Sequence, residues 1–253
     1  SVKYFIDCGA NVGTASLEAI NEGFNALAIE PNPISYKKMV CKPSIQFKKI
    51  NIGLSDKKEV LKFYILKNIK TATNASFIIP KNDLNKYDIV EVPVTPLDEL
   101  LKDSIETTSF FSLWIDVEGM QKKALKGMLE TIKNINCKVI KIEVENKKIF
   151  KDDSWLDIDI ENFLINLGYV PVYLDFEYIN SYNILFVKKY DVVDLETEID
   201  NSFNSIINDI NIFKISKFCI HFFLLRNLKT MVIKIFGVNF GNIIARLFGS
   251  KTS

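Results

Sequence analysis

The segment that decides the fold is Val2-Lys-Tyr-Phe-Ile-Asp-Cys-Gly-Ala-Asn-Val-Gly13, an apolar run that ends in an acid and continues into a glycine-containing turn. Residues 2–7 have the pattern of a buried β-strand, and the residues from about Val12 to Glu22 have that of a helix, which Gly23 ends. Because so few residues separate them, they predict a right-handed β-α-β unit in a mostly parallel sheet. Ligands of such sheets bind at the carboxyl ends of the strands, so this turn is the first candidate for a site.

The rest of the first 190 residues continues the alternation of strands and helices. Further strands are predicted at residues 24–30, 45–54, 60–66, 89–95, 110–116, 139–145, 169–174 and 183–187. Further helices are predicted at residues 33–41, 96–102, 120–132 and 157–167. We expect the last two strands to form an antiparallel hairpin. The predicted fold class is therefore α/β, a Rossmann-like sheet that is mostly parallel with an antiparallel last strand.

The charge pattern divides the chain into an α/β domain at 1–190 and a basic, amphipathic helical tail at 191–253. From residue 201 onward the chain has seven Lys or Arg and one Asp, although the net charge of the whole chain is only +1. No stretch reaches the ~18 uncharged apolar residues that a membrane-spanning helix needs. We expect residues 203–248 either to pack as a helical lid or dimer contact, or to lie peripherally on an anionic membrane.

Composition argues against several classes of protein. The residues before the tail are net acidic, so no basic groove for nucleic acid is expected. The four cysteines form no C-x-x-C pair and the chain has a single histidine, which argues against a zinc motif or a multi-histidine metal site. Unpaired thiols favour a reducing, cytoplasmic location. The sequence shows no signal peptide and no initiator Met, and we expect the natural protein to continue upstream.

The first turn carries a pattern that suits a cationic nucleoside. Its glycines are spaced Gly9-x-x-x-Gly13 and preceded by Asp7, whereas a dinucleotide fingerprint has G-x-G-x-x-G. An acid beside the turn would repel a pyrophosphate but suits the amino and sulfonium groups of S-adenosylmethionine. Glu30 ends the next strand, where it can accept hydrogen bonds from ribose hydroxyls, and Asp56 follows the third strand, where an adenine amino group would lie. The predicted cofactor-binding residues are Asp7, Cys8, Gly9, Ala10, Asn11, Gly13, Glu30, Pro31, Ser55 and Asp56.

The sequence resembles the FkbM family of methyltransferases over roughly residues 3–175. The segments that carry the resemblance are Phe5-Ile-Asp-Cys-Gly-Ala-Asn-Val-Gly13, Ile29-Glu-Pro-Asn-Pro33, Asn51-Ile-Gly-Leu-Ser-Asp56, Val92-Pro-Val-Thr-Pro-Leu-Asp-Glu-Leu100, Leu113-Trp-Ile-Asp-Val-Glu-Gly119, Leu125-Lys-Gly127 and Ile142-Glu-Val144. The resemblance implies a seven-stranded methyltransferase sheet, S-adenosylmethionine as cofactor, and O-methylation of hydroxyls on sugars or natural products. It also supports the roles of Asp7, Gly9, Gly13 and Glu30. The basic tail lies outside it.

The predicted catalytic residues are Asp116, Glu118 and Glu143. A hydroxyl acceptor needs a base, and the apolar run at 110–115 should desolvate the acids that follow it. Three roles stay open for Asp116: base or substrate contact, a cap of the next helix that touches the cofactor, or an Mg²⁺ ligand together with Glu118 or Glu143. Glu143 and Glu145 are substrate-side candidates or merely solvated acids. His221, in the tail, is expected to be a packing residue.

The sequence analysis thus favours an S-adenosylmethionine-dependent O-methyltransferase that acts on a glycan, a glycolipid or a small natural product. The polar segment Thr71-Ala-Thr-Asn-Ala-Ser-Phe77 either lines a sugar site or forms a surface loop. No Asn/Asp-Pro-Pro-aromatic run and no Pro-Cys pair is present, which disfavours methylation of nucleic-acid bases. The alternatives are a non-catalytic binding protein attached through its tail, and a nicotinamide-dependent oxidoreductase.

Overall fold

The computed structural model describes residues 3–40, 44–67, 75–78, 84–102, 109–147, 154–175 and 180–189. Its strands are β1 Lys3–Cys8, β2 Asn25–Ile29, β3 Phe47–Ile50, β4 Gly53–Leu54, β5 Glu59–Leu66, β6 Tyr87–Thr95, β7 Phe110–Ile115, β8 Cys137–Glu145, β9 Tyr169–Asp175 and β10 Ser181–Lys188. Its helices are α1 Thr14–Asn21, α2 Pro33–Lys38, α3 Leu97–Leu101, α4 Gln121–Gly127, α5 Leu129–Lys133 and α6 Asp157–Asn166.

Seven of the strands form one sheet in the order β3-β2-β1-β7-β8-β10-β9. The pairs β2–β3, β1–β2, β1–β7 and β7–β8 are parallel, whereas β10 is antiparallel to both β8 and β9. This confirms the predicted α/β class, the seven strands and the antiparallel last strand. Because the four parallel pairs run the same way, the carboxyl ends of β1, β2, β7 and β8 lie along one edge, which is where the predicted acids occur.

The two faces of the sheet are covered by different layers, as the alternation of side chains along a strand requires. On β2, Leu27 and Ile29 belong to the large core cluster that also contains buried residues of α4, α5 and α6. Their neighbours Ala26 and Ala28 belong to a smaller cluster on the other face, with Tyr36 of α2 packed against it. At β2 the sheet is therefore buried on both faces, and the edge formed by the carboxyl ends of the strands is left for a site.

The predicted third strand, 45–54, is wrong as a single element. It is split between β3 in the main sheet and β4, which belongs to a second sheet of order β4-β6-β5. Asn51 lies at the break, and its side-chain amide donates to the carbonyl oxygens of Glu30 and Pro31 at 2.7 and 3.1 Å. This side chain ties the chain to the end of β2, and the residues that follow it leave the sheet.

The predicted helix 120–132 is also wrong as a single element. It is two short helices, α4 and α5, which meet at Met128 with a non-helical φ of −122°. Asp98 of α3 supplies the reason, because its carboxylate accepts hydrogen bonds from the N–H groups of Glu130 and Thr131 at 3.0 and 2.8 Å. It also accepts one from the Thr131 hydroxyl at 2.6 Å. A carboxylate at this position satisfies the free N–H groups of a new helix and favours its start.

Some predictions fall outside the described residues. These are the tail 191–253 with the membrane segment 203–248, His221, and residues 71–74 of the polar segment. Among the helices that the structure describes, none is both long enough and apolar enough to span a bilayer.

Candidate functional site

The turn between β1 and α1 is folded against the neighbouring strand ends by its own backbone. The N–H groups of Gly9 and Ala10 both donate to the carbonyl oxygen of Ile29, at 2.9 and 3.0 Å. Gly9 has a φ of +93°, and a Cβ at this residue would lie 1.7 Å from the carbonyl oxygen of Asp116. Glycine at this residue is therefore required both by its backbone conformation and by the close approach of β7.

Of the other turn residues, two have left-handed backbone conformations and two have side chains buried in the core. Gly13 is the N-cap of α1 in a left-handed conformation, with a φ of +79°. Asn11 is also left-handed, with a φ of +49°, which asparagine tolerates better than most residues. The side chains of Cys8 and Ala10 are buried in the two core clusters, and burial raises the pKa of the Cys8 thiol well above its ordinary value. Any contact of these two residues with a ligand would have to come from their main chain.

Glu30 links the turns after β1 and β2. Its two carboxylate oxygens accept hydrogen bonds from the N–H groups of Asn11 at 2.6 Å and Asn32 at 2.7 Å. The residue is only 5% exposed, and burial raises its pKa to about 7 against the lowering effect of these two hydrogen bonds. Each oxygen keeps a second lone pair, so the carboxylate can still accept hydrogen bonds from hydroxyl groups.

Asp7 lies at the end of β1, one residue before the strand ends. It is 3% exposed, and its carboxylate accepts a hydrogen bond of 2.6 Å from the hydroxyl of Ser16, a buried residue of α1. Burial raises the pKa of Asp7 to about 6, although the hydrogen bonds from Ser16 oppose that rise. Ser16 was missed in the sequence, where a serine inside a predicted helix gives no signal of a contact with the preceding strand.

The remaining predicted cofactor residues follow β2 and β4. Pro31 is partly buried and its carbonyl accepts from Asn51, as described above. Ser55 is fully buried, whereas the next residue, Asp56, is exposed. Both are in close contact with α4, because a Cβ on Gly127 would lie 2.0 Å from the carbonyl oxygen of Ser55. The position of this pair thus depends on a glycine of the segment Leu125-Lys-Gly127.

Asp116 directly follows β7 and is joined to the first turn. Its N–H donates to the carbonyl oxygen of Cys8 at 2.9 Å, and its own carbonyl lies against Gly9. The N-cap of α4 is Met120, four residues further along, so the structure does not place Asp116 at the cap position of that helix. Asp116 therefore connects the predicted cofactor-binding turn after β1 with the turn that carries Glu118, another predicted catalytic residue.

Glu118 occupies a tight turn between β7 and α4. It has a φ of +44°, which is uncommon for a residue with a long side chain, and Gly119 follows with a φ of +89°. The pKa of the Glu118 carboxyl is raised to about 8, chiefly by burial and in addition by the charges of Glu143, Glu145 and Glu30. Acids at the ends of β2 and β8 thus act on one carboxyl group at the end of β7. The desolvation that the apolar run at 110–115 predicted is the larger cause.

The end of β8 contributes two acids and is supported by β10. Glu143 accepts a short hydrogen bond from the hydroxyl of Ser181, and its carbonyl oxygen accepts one of 3.4 Å from the side-chain amide of Gln121. Glu145 is 7% exposed, so the alternative of a solvated acid is wrong for this residue. Ser181 and Gln121 were missed, because only the antiparallel pairing of β10 and the packing of α4 bring them to Glu143.

In the part of the chain that the structure describes, no group of three or more histidine, cysteine or acidic side chains is arranged to hold a metal ion. The role of Asp116 as an Mg²⁺ ligand with Glu118 or Glu143 thus stays an untested alternative.

Residues 7–171 match the model of the methyltransferase FkbM domain, which is more than half of the chain. The chain belongs to the FkbM methyltransferase family. This confirms the predicted S-adenosylmethionine-dependent methyltransferase and decides against the oxidoreductase alternative. No curated protein matches the chain.

Several solved structures have a similar fold at low sequence identity. One is the magnesium protoporphyrin IX methyltransferase ChlM from Synechocystis PCC 6803 with bound S-adenosylmethionine, at 11% identity, a TM-score of 0.40, and coverage of 73% of this chain and 69% of that one. Another is the METTL16 methyltransferase domain, at 13% identity, a TM-score of 0.43, and coverage of 76% and 61%. A third is the 1,6-didemethyltoxoflavin-N1-methyltransferase of Burkholderia thailandensis, at 8% identity, a TM-score of 0.40, and coverage of 73% and 70%.

The family match and the site cover nearly the same part of the FkbM chain. The match begins at Asp7 and ends at residue 171, so it contains Glu30, Asp116, Glu118 and Glu143. Ser181, which holds Glu143, lies beyond it. The segment with Asp98 has a structural role in this chain, since its carboxylate starts α5.

Proposed function

We propose that this FkbM methyltransferase transfers a methyl group from S-adenosylmethionine to a hydroxyl group of a glycan, a glycolipid or a small natural product. The observation that carries the proposal is the gathering of buried and half-buried acids along one edge of the sheet. Asp7 and Glu30 lie on its β1–β2 side, and Glu118 and Glu143 on its β7–β8 side. The first pair is assigned to the donor and the second pair to the acceptor.

The donor side has the chemistry that a cationic nucleoside needs. The Asp7 carboxylate supplies negative charge near the first turn, and the Glu30 carboxylate has lone pairs left for the two ribose hydroxyls. The absence of a side chain on Gly9 lets main-chain atoms of the turn lie directly against β7, which keeps the turn compact. Bound S-adenosylmethionine supplies an electrophilic methyl group on its sulfonium. The residues around the first turn therefore fit this donor better than they fit a diphosphate.

The acceptor side has an acid whose proton affinity suits catalysis near neutral pH. With a pKa of about 8, the Glu118 carboxyl exists in both protonation states in that range, which is the condition for an effective general base. The ionised form would take the proton of the acceptor hydroxyl. The charge of Glu143, whose side chain accepts a hydrogen bond from Ser181, raises the pKa of Glu118 and so favours uptake of that proton. Asp116 would help to position the acceptor between the two sides.

The negative charges of these carboxylates favour some classes of methyl acceptor over others. Several carboxylates along one edge would repel a phosphate or a carboxylate placed beside them, whereas neutral hydroxyl groups can donate hydrogen bonds to them. A polyhydroxyl compound therefore suits the acceptor side better than a nucleic acid. We also propose that the basic segment 203–248 either packs as a helical lid or dimer contact or lies peripherally on an anionic membrane. Liposome flotation of the full chain beside a 1–200 truncation distinguishes the two, because equal recovery in the soluble fraction refutes attachment.

Transfer of label from S-adenosylmethionine tests the proposed reaction. The enzyme is incubated with tritiated donor and, separately, with a set of methyl glycosides, a set of alkyl amines, and a short RNA. We expect alkali-stable label on a glycoside and its loss in Glu118→Gln, while Glu18→Gln, at an exposed residue of α1, keeps full activity. Label on the amines or the RNA alone would show that the acceptor is not a hydroxyl group of a glycan.

A further inference from the structure

The small sheet β4-β6-β5 carries a segment that contacts the turn of Glu118. This segment is Ala75–Ile78, the described end of the polar run that the sequence analysis singled out. Within it, the hydroxyl of Ser76 donates a hydrogen bond of 2.7 Å to the carbonyl oxygen of Glu118, which is 42 residues away in the chain. The proposed function does not use this contact.

Ser76 is fixed on its own side of the contact. Its main chain is paired with Tyr64 of β5 through two hydrogen bonds, of 2.9 and 3.1 Å. Its hydroxyl oxygen also accepts a hydrogen bond of 3.0 Å from the N–H of Ile78. Because the oxygen accepts from Ile78, the single hydroxyl proton is free to point at Glu118.

The next residue anchors the segment to the core of the small sheet. The ring of Phe77 packs on that of Phe63, with centroids 4.6 Å apart. It also lies directly against Gly53, where an added Cβ would be 2.4 Å from the ring. The segment is therefore seated on β4 and β5 by ring packing, and Ser76 reaches the Glu118 turn from a rigid support.

On the other side of the contact, the main chain of Glu118 has a strained conformation that its neighbours must stabilise. Its φ of +44° costs roughly 1–2 kcal/mol relative to an ordinary conformation. The turn has one internal hydrogen bond of 3.0 Å, from the N–H of Met120 to the carbonyl oxygen of Val117. A strained residue keeps its conformation only where its surroundings hold it, and the Ser76 hydroxyl is a neighbour that does so.

We propose that Ser76 is a positioning residue, whose hydroxyl holds the main chain of Glu118 so that the Glu118 carboxyl stays beside Glu143 on the acceptor side of the site. The inference rests on the proposed function for the meaning of the acceptor side. The small sheet then has a role in catalysis: it carries the group that keeps the base in place.

The test compares Ser76→Ala, Ser76→Thr and the control Ser44→Ala in the full chain. Ser44 also makes a side-chain hydrogen bond, of 3.2 Å with the N–H of Phe47, but it precedes β3 at the opposite edge of the sheet. Two properties of the Glu118 turn are measured. One is hydrogen exchange of the Met120 amide, and the other is the titration of the ¹³C-labelled Glu118 carboxyl, assigned by its absence in Glu118→Gln.

In Ser76→Ala we expect exchange of the Met120 amide to accelerate about threefold to tenfold, the range for loss of one hydrogen bond. The titration midpoint of Glu118 should fall by about one pH unit, because the carboxyl moves away from Glu143, Glu145 and Glu30. Ser76→Thr should restore both values, and Ser44→Ala should change neither. Unchanged exchange and midpoint in Ser76→Ala would overturn the proposal, as would a failure of threonine to restore them.

Calorimetric titration with S-adenosylhomocysteine separates this inference from the proposed function. We expect all three variants to bind it as the wild type does, since Ser76 touches only the acceptor side. A loss of binding in Ser76→Ala would overturn the positioning role in favour of a general effect on the fold. If the wild type itself does not bind, the proposed function fails, and the role of Ser76 within it fails with it.

Discussion

The main-chain carbonyl oxygen of Asp116 lies 1.7 Å from where a Cβ on Gly9 would be. The N–H of the same aspartate donates to the carbonyl oxygen of Cys8 at 2.9 Å, so backbone atoms of the end of β7 and of the turn after β1 are in direct contact. This contact places the residues assigned to S-adenosylmethionine next to those assigned to the methyl acceptor, as methyl transfer between the two requires.

Gly9→Ala should therefore be much more destabilising than an ordinary glycine substitution. Gly23 is the matched control, because it has a φ of +85° but nothing within 4 Å of an added Cβ. We expect Gly23→Ala to cost about 1–2 kcal/mol for its backbone conformation, and Gly9→Ala about 2 kcal/mol more for the clash with β7. Urea unfolding measures both. Equal losses would mean that the approach of Asp116 to Gly9 is not close in solution.

Asp98→Ala should destabilise the fold without touching the site. The carboxylate accepts three hydrogen bonds at the start of α5, and loss of a cap of this kind costs about 1–2 kcal/mol. Asp88→Ala is the control, because Asp88 makes only an exposed ion pair of 3.8 Å with Lys67. Thermal unfolding of the two variants provides the comparison, and a loss no larger than that of Asp88→Ala would refute the capping role.

Glu118→Gln should change how stability depends on pH. The pKa of Glu118 is about 8 in the folded protein and has an ordinary value of 4.5, so the folded state holds a proton that the unfolded chain has released. Between these pH values the wild type therefore loses stability as the pH rises, by roughly 2–4 kcal/mol in all. The glutamine variant should lack the part of the slope that comes from Glu118, keep the part that the raised pKa values of Asp7 and Glu30 cause, and be the more stable protein above pH 8. Parallel slopes in urea unfolding across this range would contradict the assignment.

Glu143→Gln should lower the pKa of Glu118, because the charge of Glu143 is one of the causes of its rise. Burial is the largest cause and remains, so we expect a decrease of about half a unit to one unit and a final value above 4.5. Titration of the ¹³C-labelled carboxyl measures it. Glu59→Gln on β5 serves as the control. A midpoint that is the same in both variants would show that Glu143 does not face Glu118.

Much of the fold follows from local patterns in the sequence. The apolar run of each strand and the acid after it predicted the ends of β1, β2, β7 and β8 to within a few residues. The two errors, at 45–54 and 120–132, have a common cause. Asn51 and Asp98 end or start elements through side-chain bonds to residues about 20 to 33 positions away. The hydrophobic periodicity of a sequence does not reveal such bonds, because it reflects only the residues within one element.

In the candidate site too, local patterns were predicted from the sequence and long-range side-chain contacts were not. The acids and glycines were found because their types and spacing are distinctive at strand ends. Ser16 and Ser181 were not found, and Ser76 was noted only as part of a polar segment, since each is a single hydroxyl that contacts its acid or its turn across 9, 38 and 42 residues respectively. Only the folded chain brings them to Asp7, Glu118 and Glu143. A sequence alone thus indicates which acids bear the chemistry, but not which residues hold them.

Calorimetric titration with S-adenosylhomocysteine tests the central claim most directly, namely that Asp7 and Glu30 form the donor side. We expect the wild type to bind it with a Kd on the order of micromolar, and Asp7→Asn and Glu30→Gln to weaken binding about tenfold or more each, while Gly23→Ala has no effect. NAD should not bind. No binding of S-adenosylhomocysteine to the folded wild type, or an affinity of both carboxylate variants equal to that of the wild type, would contradict the assignment of Asp7 and Glu30 to the donor.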